Sequence, residues 1–474
     1  MNIKKINKKG VIIYGAGNAG RQVCDLILNN NKSAIIYFID DDKKKIGKKY
    51  KKKIIYSKEI LKSLKNQELI SNIIIAIPSI DNAKLSKLFK YLYSYSPSVL
   101  NLPLKSEFNS SKINLSDLQK SELVDIFKGN YLKSKKVIIK HLNDKNILVT
   151  GAGGSIGSEL VYQLSRITKN RIICLDKSEI ALYNLQKNLS EYNKKIKFIL
   201  GDIRDKFLIK NLVMKEQLDY VFHTAAYKHL NFLELNPDQA IKNNIIGTYE
   251  LLNNLNDHTK KTLKVINIST DKAVRPTSVL GFSKRITEII CSNFKNLKNS
   301  KLHISTVRFG NVFGSNGSVI NLFLDKINKG EKINLTHKKV ERFFMSINEA
   351  CNLVISASLF KDNFNTYILD MGKPVKIYDL LKKMIQLKRK YQKNLKIEIQ
   401  VTGLNKGEKI SEELTINKKL KKTKIKRIFI DKEVNYKKKD IDLLVKKIFN
   451  KIDTKKSNEI LNDIQFFLKK EINL

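Results

Sequence analysis

Short apolar runs, each closed by a glycine turn or an acidic residue and followed by helically spaced apolar positions, set the rhythm of this chain. That alternation predicts βαβ units built on parallel sheets, an α/β class. It begins twice. In the first unit Val11–Tyr14 is a strand, Gly15-Ala16-Gly17-Asn18-Ala19-Gly20 a turn and Arg21–Leu28 a helix. Ala34–Ile39, closed by Asp40-Asp41-Asp42, is a second strand; Ile73–Ile77 is a third, followed by a helix over Ala83–Tyr93. Residues 101–143 are rich in Ser, Lys and Asn and are expected to form a linker with one helix, Asp117–Phe127.

The second unit starts at Asn146–Thr150 and turns through Gly151-Ala152-Gly153-Gly154-Ser155-Ile156-Gly157 into a helix with Leu160 and Leu164 on one face. Strands at Ile172–Leu175, Phe198–Leu200, Tyr220–His223, Leu263–Ile268 and Thr306–Arg308 continue it. Beyond Asn311 the pattern loosens, which suits a smaller substrate-binding portion. The last forty or so residues, with Ile441, Leu444 and Ile448 at helical spacing, are expected to be a peripheral helical tail.

The 474-residue chain is long enough for two or three domains. Its formal net charge of +45 raises the question of nucleic acid. The lysines are dispersed, only ten of the ninety basic residues are Arg, and no stretch interleaves Arg with aromatics, so a lysine-biased composition accounts for the charge. No nucleic-acid partner is expected. The four cysteines, Cys24, Cys174, Cys291 and Cys351, form no CxxC pair, and the His show no metal-ligand spacing, so no metal is expected. Core thiols of this kind point to a reducing compartment, hence the cytoplasm. No apolar run approaches the length of a membrane span.

Two glycine motifs carry candidate chemistry. Gly15-x-Gly17-x-x-Gly20 follows a strand, opens a helix and precedes an acidic cluster by about 20 residues, the context of a dinucleotide turn. No acid–base constellation follows it, so this unit either binds a nucleotide or only keeps the fold. Gly151-x-x-Gly154-x-x-Gly157 is better supported. Asp176 closes the next strand, where a carboxylate accepts from an adenosine ribose; Asp202-Ile203 is placed to meet an adenine edge; Ala225 and Ala226 are small enough for a cofactor to lie across them.

The stretch STDKAVRPTSVLGFSKR at 269–285 puts Thr270, Asp271 and Lys272 at a strand end and Lys284 in the next helix. Strand ends are where open α/β sheets place their chemistry. Leu280 stands four residues before Lys284, where many dehydrogenases of this plan have Tyr, and Leu cannot transfer a proton. Asp271 and Lys272 are the obvious replacements, although alone they would be a surface ion pair. Lys228 and His229 follow the fourth strand in what is either a ligand-facing or a solvated loop. Arg308, Arg342 and Lys409 are candidate phosphate clamps.

Together these residues resemble the extended short-chain dehydrogenases/reductases that act on nucleotide sugars, and among them the UDP-N-acetylglucosamine 4,6-dehydratases. The stretches are GAGGSIGSEL at 151–160, TAAYKHLNFLELNP at 224–237, the 269–285 stretch, VRFGNVFGSNGSVI at 307–320, ERFFMSINEA at 341–350 and TGLNKGEKISEEL at 402–414. The first unit matches the large form of that family. The chain departs from the family at Leu280, where the large form has Met, at Asn405-Lys406, where Arg-Pro is usual, and at Ser278, where Asn is usual.

The resemblance implies two Rossmann-like doubly wound parallel-sheet domains. These are an N-terminal domain with linker over 1–130 and a catalytic domain over 131–430, NAD-binding over 145–310 and mainly substrate-binding over 311–430; a helical tail follows over 431–474. It implies NAD held by Gly151, Gly154, Ser155, Ile156, Gly157, Asp176, Asp202, Ile203, Ala225, Ala226 and Lys284. It implies a UDP-sugar substrate held by Lys228, His229, Asn311, Ser318, Arg342, Lys406 and Glu408, and a homo-oligomer. In the implied reaction Lys272, its pKa lowered by burial, removes the proton on sugar carbon 5. Asp271, its pKa raised, protonates the departing hydroxyl on carbon 6; Thr270 helps deprotonate the hydroxyl on carbon 4. The rivals are a nucleotide-sugar 4-epimerase and a non-catalytic NAD-binding scaffold.

The charge reading has a direct test. Binding of random duplex DNA at physiological salt should be weaker than about 1 µM in dissociation constant and should fade as salt rises. Tighter binding that persists in salt would restore the nucleic-acid class.

Overall fold

The computed structural model describes residues 8–77, 99–101 and 141–472, with isolated residues from 80 to 95 and without 31–32, 168–169, 190–194, 295–296, 298–299, 316, 361–365, 390–394, 417–419, 432–437 and 453–456. The helix expected over 117–127 lies outside these residues, as does most of that over 83–93. The chain divides into two compact units, one of residues 1–128 with 323–333 and 381–398, the other of 129–322, 334–380 and 399–474. The portion expected over 311–430 is therefore shared between them.

In the first unit, strand β1 (Gly10–Tyr14) runs into helix α1 (Asn18–Asn30), then β2 (Ile36–Ile39), the hairpin β3 (Lys49–Tyr50) and β4 (Lys53–Tyr56), helix α2 (Ile60–Asn66), β5 (Ile70–Ile75) and β6 (Val99–Asn101). The sheet order is β3-β4-β2-β1-β5-β6, parallel except for the hairpin. Both faces are covered, which is why β1 is a continuous apolar run: Ile13 packs with Val23, Cys24 and Phe38, whereas Ile12 and Tyr14 pack with Leu61, Leu64 and Ile75. The hairpin and α2 are additions to the expected strands. The turn bends through Lys51 and Lys52 at φ 45° and 62°, a left-handed pair normally signalled by Asn-Gly or Asp-Gly, and lysines give no such signal.

The second unit is built on β7 (Asn146–Thr150), α3 (Ser155–Ile167), β8 (Arg171–Asp176), α4 (Glu179–Asn188), β9 (Ile196–Leu200), α5 (Lys206–Glu216), β10 (Tyr220–His223), α6 (Leu230–Leu235), α7 (Gly247–His258), β11 (Leu263–Thr270), α8 (Val279–Asn293) and β12 (Leu302–Phe309). Strands β13 (Thr366–Leu369), β14 (Lys421–Lys422) and β15 (Ile428–Asp431) extend it to nine, in the order β14-β15-β13-β12-β11-β10-β7-β8-β9. β7 to β13 are parallel, and β15 joins β13 antiparallel. Alternation along β7 sends Leu148 to one core and Ile147 and Val149 to the other.

One ion cluster locks the middle of this sheet. Glu288 on α8 accepts from Arg308 Nε (2.7 Å) and Nη2 (2.6 Å), Arg285 Nη1 (2.8 Å) and Ser269 Oγ (2.6 Å). Arg308 Nη1 also donates to Asp431 at the end of β15 (2.8 Å). Arg308 is 4% exposed, so this expected phosphate clamp is corrected: its guanidinium is consumed inside the fold.

The expected peripheral tail is also corrected. Helices α9 (Lys438–Ile452) and α10 (Ser457–Ile472) bury Ile441, Leu444, Ile448, Ile460 and Ile464 in the same core as Ile286, Ile289 and Ile290 of α8. Lysines along α9 masked an ordinary amphipathic stripe. All four cysteines are buried, and none is in a disulfide. Among the described residues no helix is long and apolar enough to cross a membrane.

Burial raises the Glu288 carboxyl, but Arg308 and Arg285 more than reverse this and hold it at about 2, below its usual 4.5. A depressed carboxyl stabilises the fold fully above its unfolded value and loses that contribution as pH falls through the folded one. Stability should therefore drop between pH 4.5 and about 2. Glu288→Ala, which takes the shared carboxylate from Arg285 and leaves Arg308 with Asp431, should cost about 3–5 kcal/mol at neutral pH in urea unfolding. A loss below about 1 kcal/mol would show that the cluster is not a stabilising tie.

Candidate functional site

The turn after β7 is shaped for close approach. Gly151 has φ +67°, and a Cβ there would sit 2.7 Å from Ala225 Cα; a Cβ on Gly157 would sit 2.2 Å from Gly151 O. Only glycine allows the turn to fold back on β10 and leave backbone N–H groups facing outward at the start of α3, the arrangement that receives a pyrophosphate. Ser155 and Ile156 begin that helix. Asp176 Oδ2 accepts from Gly153 N (2.9 Å) and Oδ1 from Ser178 N (2.9 Å), so the carboxylate is oriented beside the turn. Asp202 is gripped by Arg204 Nε (3.0 Å) and Nη2 (2.6 Å); burial raises its carboxyl, and these bonds more than reverse that. Ile203 is buried in the core, and Ala225 packs against its edge. These residues fit a dinucleotide. In the first unit Asp40 is held similarly, by Ala16 N (2.7 Å), Asp42 N (2.9 Å) and Lys45 Nζ (3.2 Å).

Behind the cradle lies a polar seam that sequence reading missed. His223 is buried, its Nδ1 2.8 Å from Thr150 Oγ1 and its Nε2 3.0 Å from Thr248 Oγ1. Thr248 spends its hydroxyl proton on Asn244 O (2.6 Å), so it accepts from Nε2–H. Burial pushes the imidazole down to about 3, which keeps it neutral. A π-helical turn, Ile241–Ile246, turns Asn243 and Asn244 inward. Asn243 Oδ1 accepts from Lys177 Nζ (3.0 Å). Asn244 Nδ2 donates to Ser283 Oγ (3.0 Å), next to Lys284, and Asn244 also pins the backbone of Tyr227. Lys177 and Tyr227 are themselves hydrogen-bonded. An asparagine pair in an apolar helix was the available signal. Lys284 is 8% exposed, and burial pushes its ammonium down to about 8. Leu280 turns away into an apolar cluster with Leu233, Ala240 and Val279.

The proton-transfer candidates meet where β11 ends. Thr270 Oγ1 donates to Asp271 Oδ1 (2.8 Å), and Lys272 Nζ donates to the same oxygen (3.1 Å) and to Asn311 Oδ1 (3.3 Å). Asp271 is fully buried, and its Oδ2 has no hydrogen-bond partner; it faces Gly310, where a Cβ would come within 2.9 Å of it. Glu412, from the 402–414 stretch, places Oε1 3.5 Å from Lys272 Nζ. The expected lowering of Lys272 by burial is corrected here. Burial does push the ammonium down, but Asp271 and Glu412 more than reverse it and leave Lys272 above its ordinary value. Glu412 was not named as a site residue, although its stretch was matched, because it lies 140 residues after Lys272 in the chain.

The remaining expected residues divide. Arg342 Nη2 donates to Glu408 Oε1 (3.3 Å), which also accepts from Thr336 (3.0 Å), while Oε2 accepts from Asn405 N (3.1 Å). Glu408 thus holds the loop that carries the substitute for Arg-Pro. Lys409 donates to Val274 O (2.8 Å) and sits 3.9 Å from Glu412, so it faces the proton-transfer cluster. The His229 ring lies against Gly317, one residue before Ser318, where a Cβ would approach within 2.4 Å. Lys228, His229 and Lys406 are exposed. Among the described residues no His, Cys, Asp and Glu group could hold a metal ion.

Known proteins resemble the chain in sequence and in fold. The family described as "Polysaccharide biosynthesis protein" matches residues 147–433, and "PglD N-terminal domain" matches 10–92. The chain is 37% identical over 399 residues to the capsular polysaccharide biosynthesis protein CapD of Staphylococcus aureus, covering 83% of this chain and 66% of CapD. It is 33% identical to a UDP-glucose 4-epimerase of Rickettsia rickettsii, covering 59% of this chain and 80% of that protein. The X-ray structure of Pen from Bacillus thuringiensis aligns with a TM-score of 0.57 at 32% identity, covering 61% of this chain and 88% of that one. The chain thus spans just under two thirds of the length of CapD.

The two cradles can be separated by NAD titration. Asp176→Ala should weaken binding about tenfold or more through loss of a charged acceptor, and Asp40→Ala should leave it unchanged. Equal losses would mean that the glycine turn at 151–157 is not the principal cofactor site.

Proposed function

The chain belongs to the polysaccharide biosynthesis protein family, and from that footing we propose that it dehydrates a UDP-N-acetylhexosamine, UDP-N-acetylglucosamine above all, to a UDP-4-keto-6-deoxy sugar. The observation that carries this reading is the Asp271–Lys272 contact of 3.1 Å at the end of β11, beside a helix whose Leu280 cannot move a proton. NAD held by the 151–157 turn and Asp176 would supply hydride removal from carbon 4 and its return to carbon 6.

At rest Lys272 is an ammonium and is paired with a buried carboxylate. When substrate closes out water, both charges lose solvation, and one proton passing from Nζ to Asp271 yields a neutral amine and a neutral acid. These are the base and the acid that elimination needs. The amine takes the proton from carbon 5 as the acid gives its proton to the hydroxyl leaving carbon 6. Water departs, and the ammonium–carboxylate pair is restored; as hydride returned to carbon 6, the Lys272 ammonium would give its proton back to carbon 5, and the proton released earlier by the carbon 4 hydroxyl would replace it. Thr270, already bonded to Asp271, assists at the hydroxyl of carbon 4, and Lys284 holds the nicotinamide ribose. Arg342, steadied by Glu408, and Lys406 receive the diphosphate; Lys228, His229, Asn311 and Ser318 line the sugar side.

A second reading, nucleotide-sugar 4-epimerisation, is supported by the Rickettsia relative, named as a UDP-glucose 4-epimerase. Mass spectrometry of UDP-N-acetylglucosamine incubated with the protein and NAD separates the two: loss of one water marks dehydration, unchanged mass with altered stereochemistry marks epimerisation, and no turnover marks a scaffold. Lys272→Met and Asp271→Asn should each lower kcat by about 10²-fold or more with KM nearly constant. Lys272→Met should also abolish solvent-deuterium exchange at carbon 5, and Leu280→Ala should do less harm than either. Normal turnover by Lys272→Met would place the proton chemistry elsewhere in the cleft.

A further inference from the structure

The 402–414 stretch does more than approach the substrate. Glu412 is 6% exposed, with Oε1 3.5 Å from Lys272 Nζ, and its Oε2 is buried without a hydrogen-bond partner. Lys409, three residues earlier in sequence, places its Nζ 3.9 Å from that Oε2 while donating to Val274 O at 2.8 Å, two residues after Lys272. The cluster therefore contains two buried carboxylates, Asp271 and Glu412, and two ammonium groups, Lys272 and Lys409, with Asn311 as a neutral acceptor and the Arg342 guanidinium repelling Lys272 from β-strand Glu341–Arg342. Arg275 is turned outward, onto Glu413.

We propose that Glu412 is a positioning residue for the proton chemistry: it shares Lys272 with Asp271, and Lys409 sets how much of Glu412 is left for Lys272. This rests on the dehydratase reading for its catalytic consequence, but not for the electrostatic coupling itself. The physical logic is a balance. Asp271 alone would let the ammonium proton pass across their contact and neutralise both groups. Glu412 stabilises only the charged lysine, so it opposes that transfer and keeps Lys272 protonated until substrate arrives. Lys409 competes for Glu412 and repels Lys272, so it works in the opposite direction. A carboxylate whose second oxygen has no bonding partner is free to shift between the two ammonium groups, which a fully bonded structural carboxylate is not.

Two variants move the same quantity in opposite directions. The protonation midpoint of Lys272 is read by pH-dependent acylation with acetic anhydride and peptide mass spectrometry, and the acidic limb of kcat for dehydration is read in parallel. Glu412→Gln should lower both midpoints by about one pH unit. Lys409→Met should raise both. A purely structural role would lower kcat evenly at all pH and leave the Lys272 midpoint where it is in the unsubstituted chain. Unchanged midpoints in both variants, or shifts of the same sign, overturn the proposal. If Glu412→Gln does not fold, Lys409→Met decides alone: an upward shift supports the proposal, and no shift or a downward one overturns it. If the midpoints shift as expected but the unsubstituted chain releases no water from UDP-N-acetylglucosamine, the coupling stands and the dehydratase reading falls.

Discussion

A carboxylate with no access to water must be answered by charge, and Glu288 is answered by two guanidinium groups and a hydroxyl. That requirement ties four elements at one point. Glu288 is on α8, four residues after Lys284; Ser269 is on β11, one residue before Thr270; Arg308 is on β12; Asp431 ends β15. The groups proposed for chemistry therefore hang from a strand end and a helix whose relative position is set by a rigid, desolvated cluster. A site needing side chains held to within a fraction of an ångström is best placed on such elements, while loops supply what varies.

Most of the parallel strands, β1, β2, β5, β7, β8, β10, β11 and β12 among them, were legible in the sequence as plain apolar runs, whereas the parallel strands β4, β6 and β13 were not expected. β7 matched its expected bounds, Asn146–Thr150, and the glycine turns announced themselves by spacing. Other features were not legible, for definite reasons. The lysine turn at Lys51-Lys52 adopts a conformation that carries no composition mark, and α9, rich in lysine, with α10 after it, resembles solvated tail although their apolar stripes complete the main core. Arg308 looked like a ligand clamp because an arginine among lysines draws attention; its carboxylate partners lie 20 residues before it and 123 after it, a separation that no local window spans.

The same distance effect governs the site. Thr270, Asp271 and Lys272 were visible as a contiguous group, but the charge state of Lys272 depends on Glu412. Burial alone would have pushed both Lys272 and Lys284 down, and for Lys284 it does. What separates these two lysines is company: Lys272 has two carboxylates at 3.1 and 3.5 Å, and Lys284 has none in ion-pair contact among the described residues. A pattern of residue types can nominate a base; whether it rests as amine or ammonium is a three-dimensional property.

In the proposed reaction this difference would give the two lysines different work without any change of residue type. Lys284, pushed down to about 8 by burial, would hold the nicotinamide ribose with little electrostatic commitment under the proposed reading. A lysine locked as ammonium beside an acid is inert as a base until its surroundings change. In the proposed reaction substrate entry would be such a change, since displacing water strengthens the penalty on both charges at once. The proton would then move a short way within the pair. A pair built this way holds its base and its acid dormant together and releases them together, which suits an elimination in which one proton is taken from carbon 5 and one is given to the oxygen on carbon 6. In a pair of independently tuned groups each would titrate alone, and for part of the pH range only one of the two would be competent.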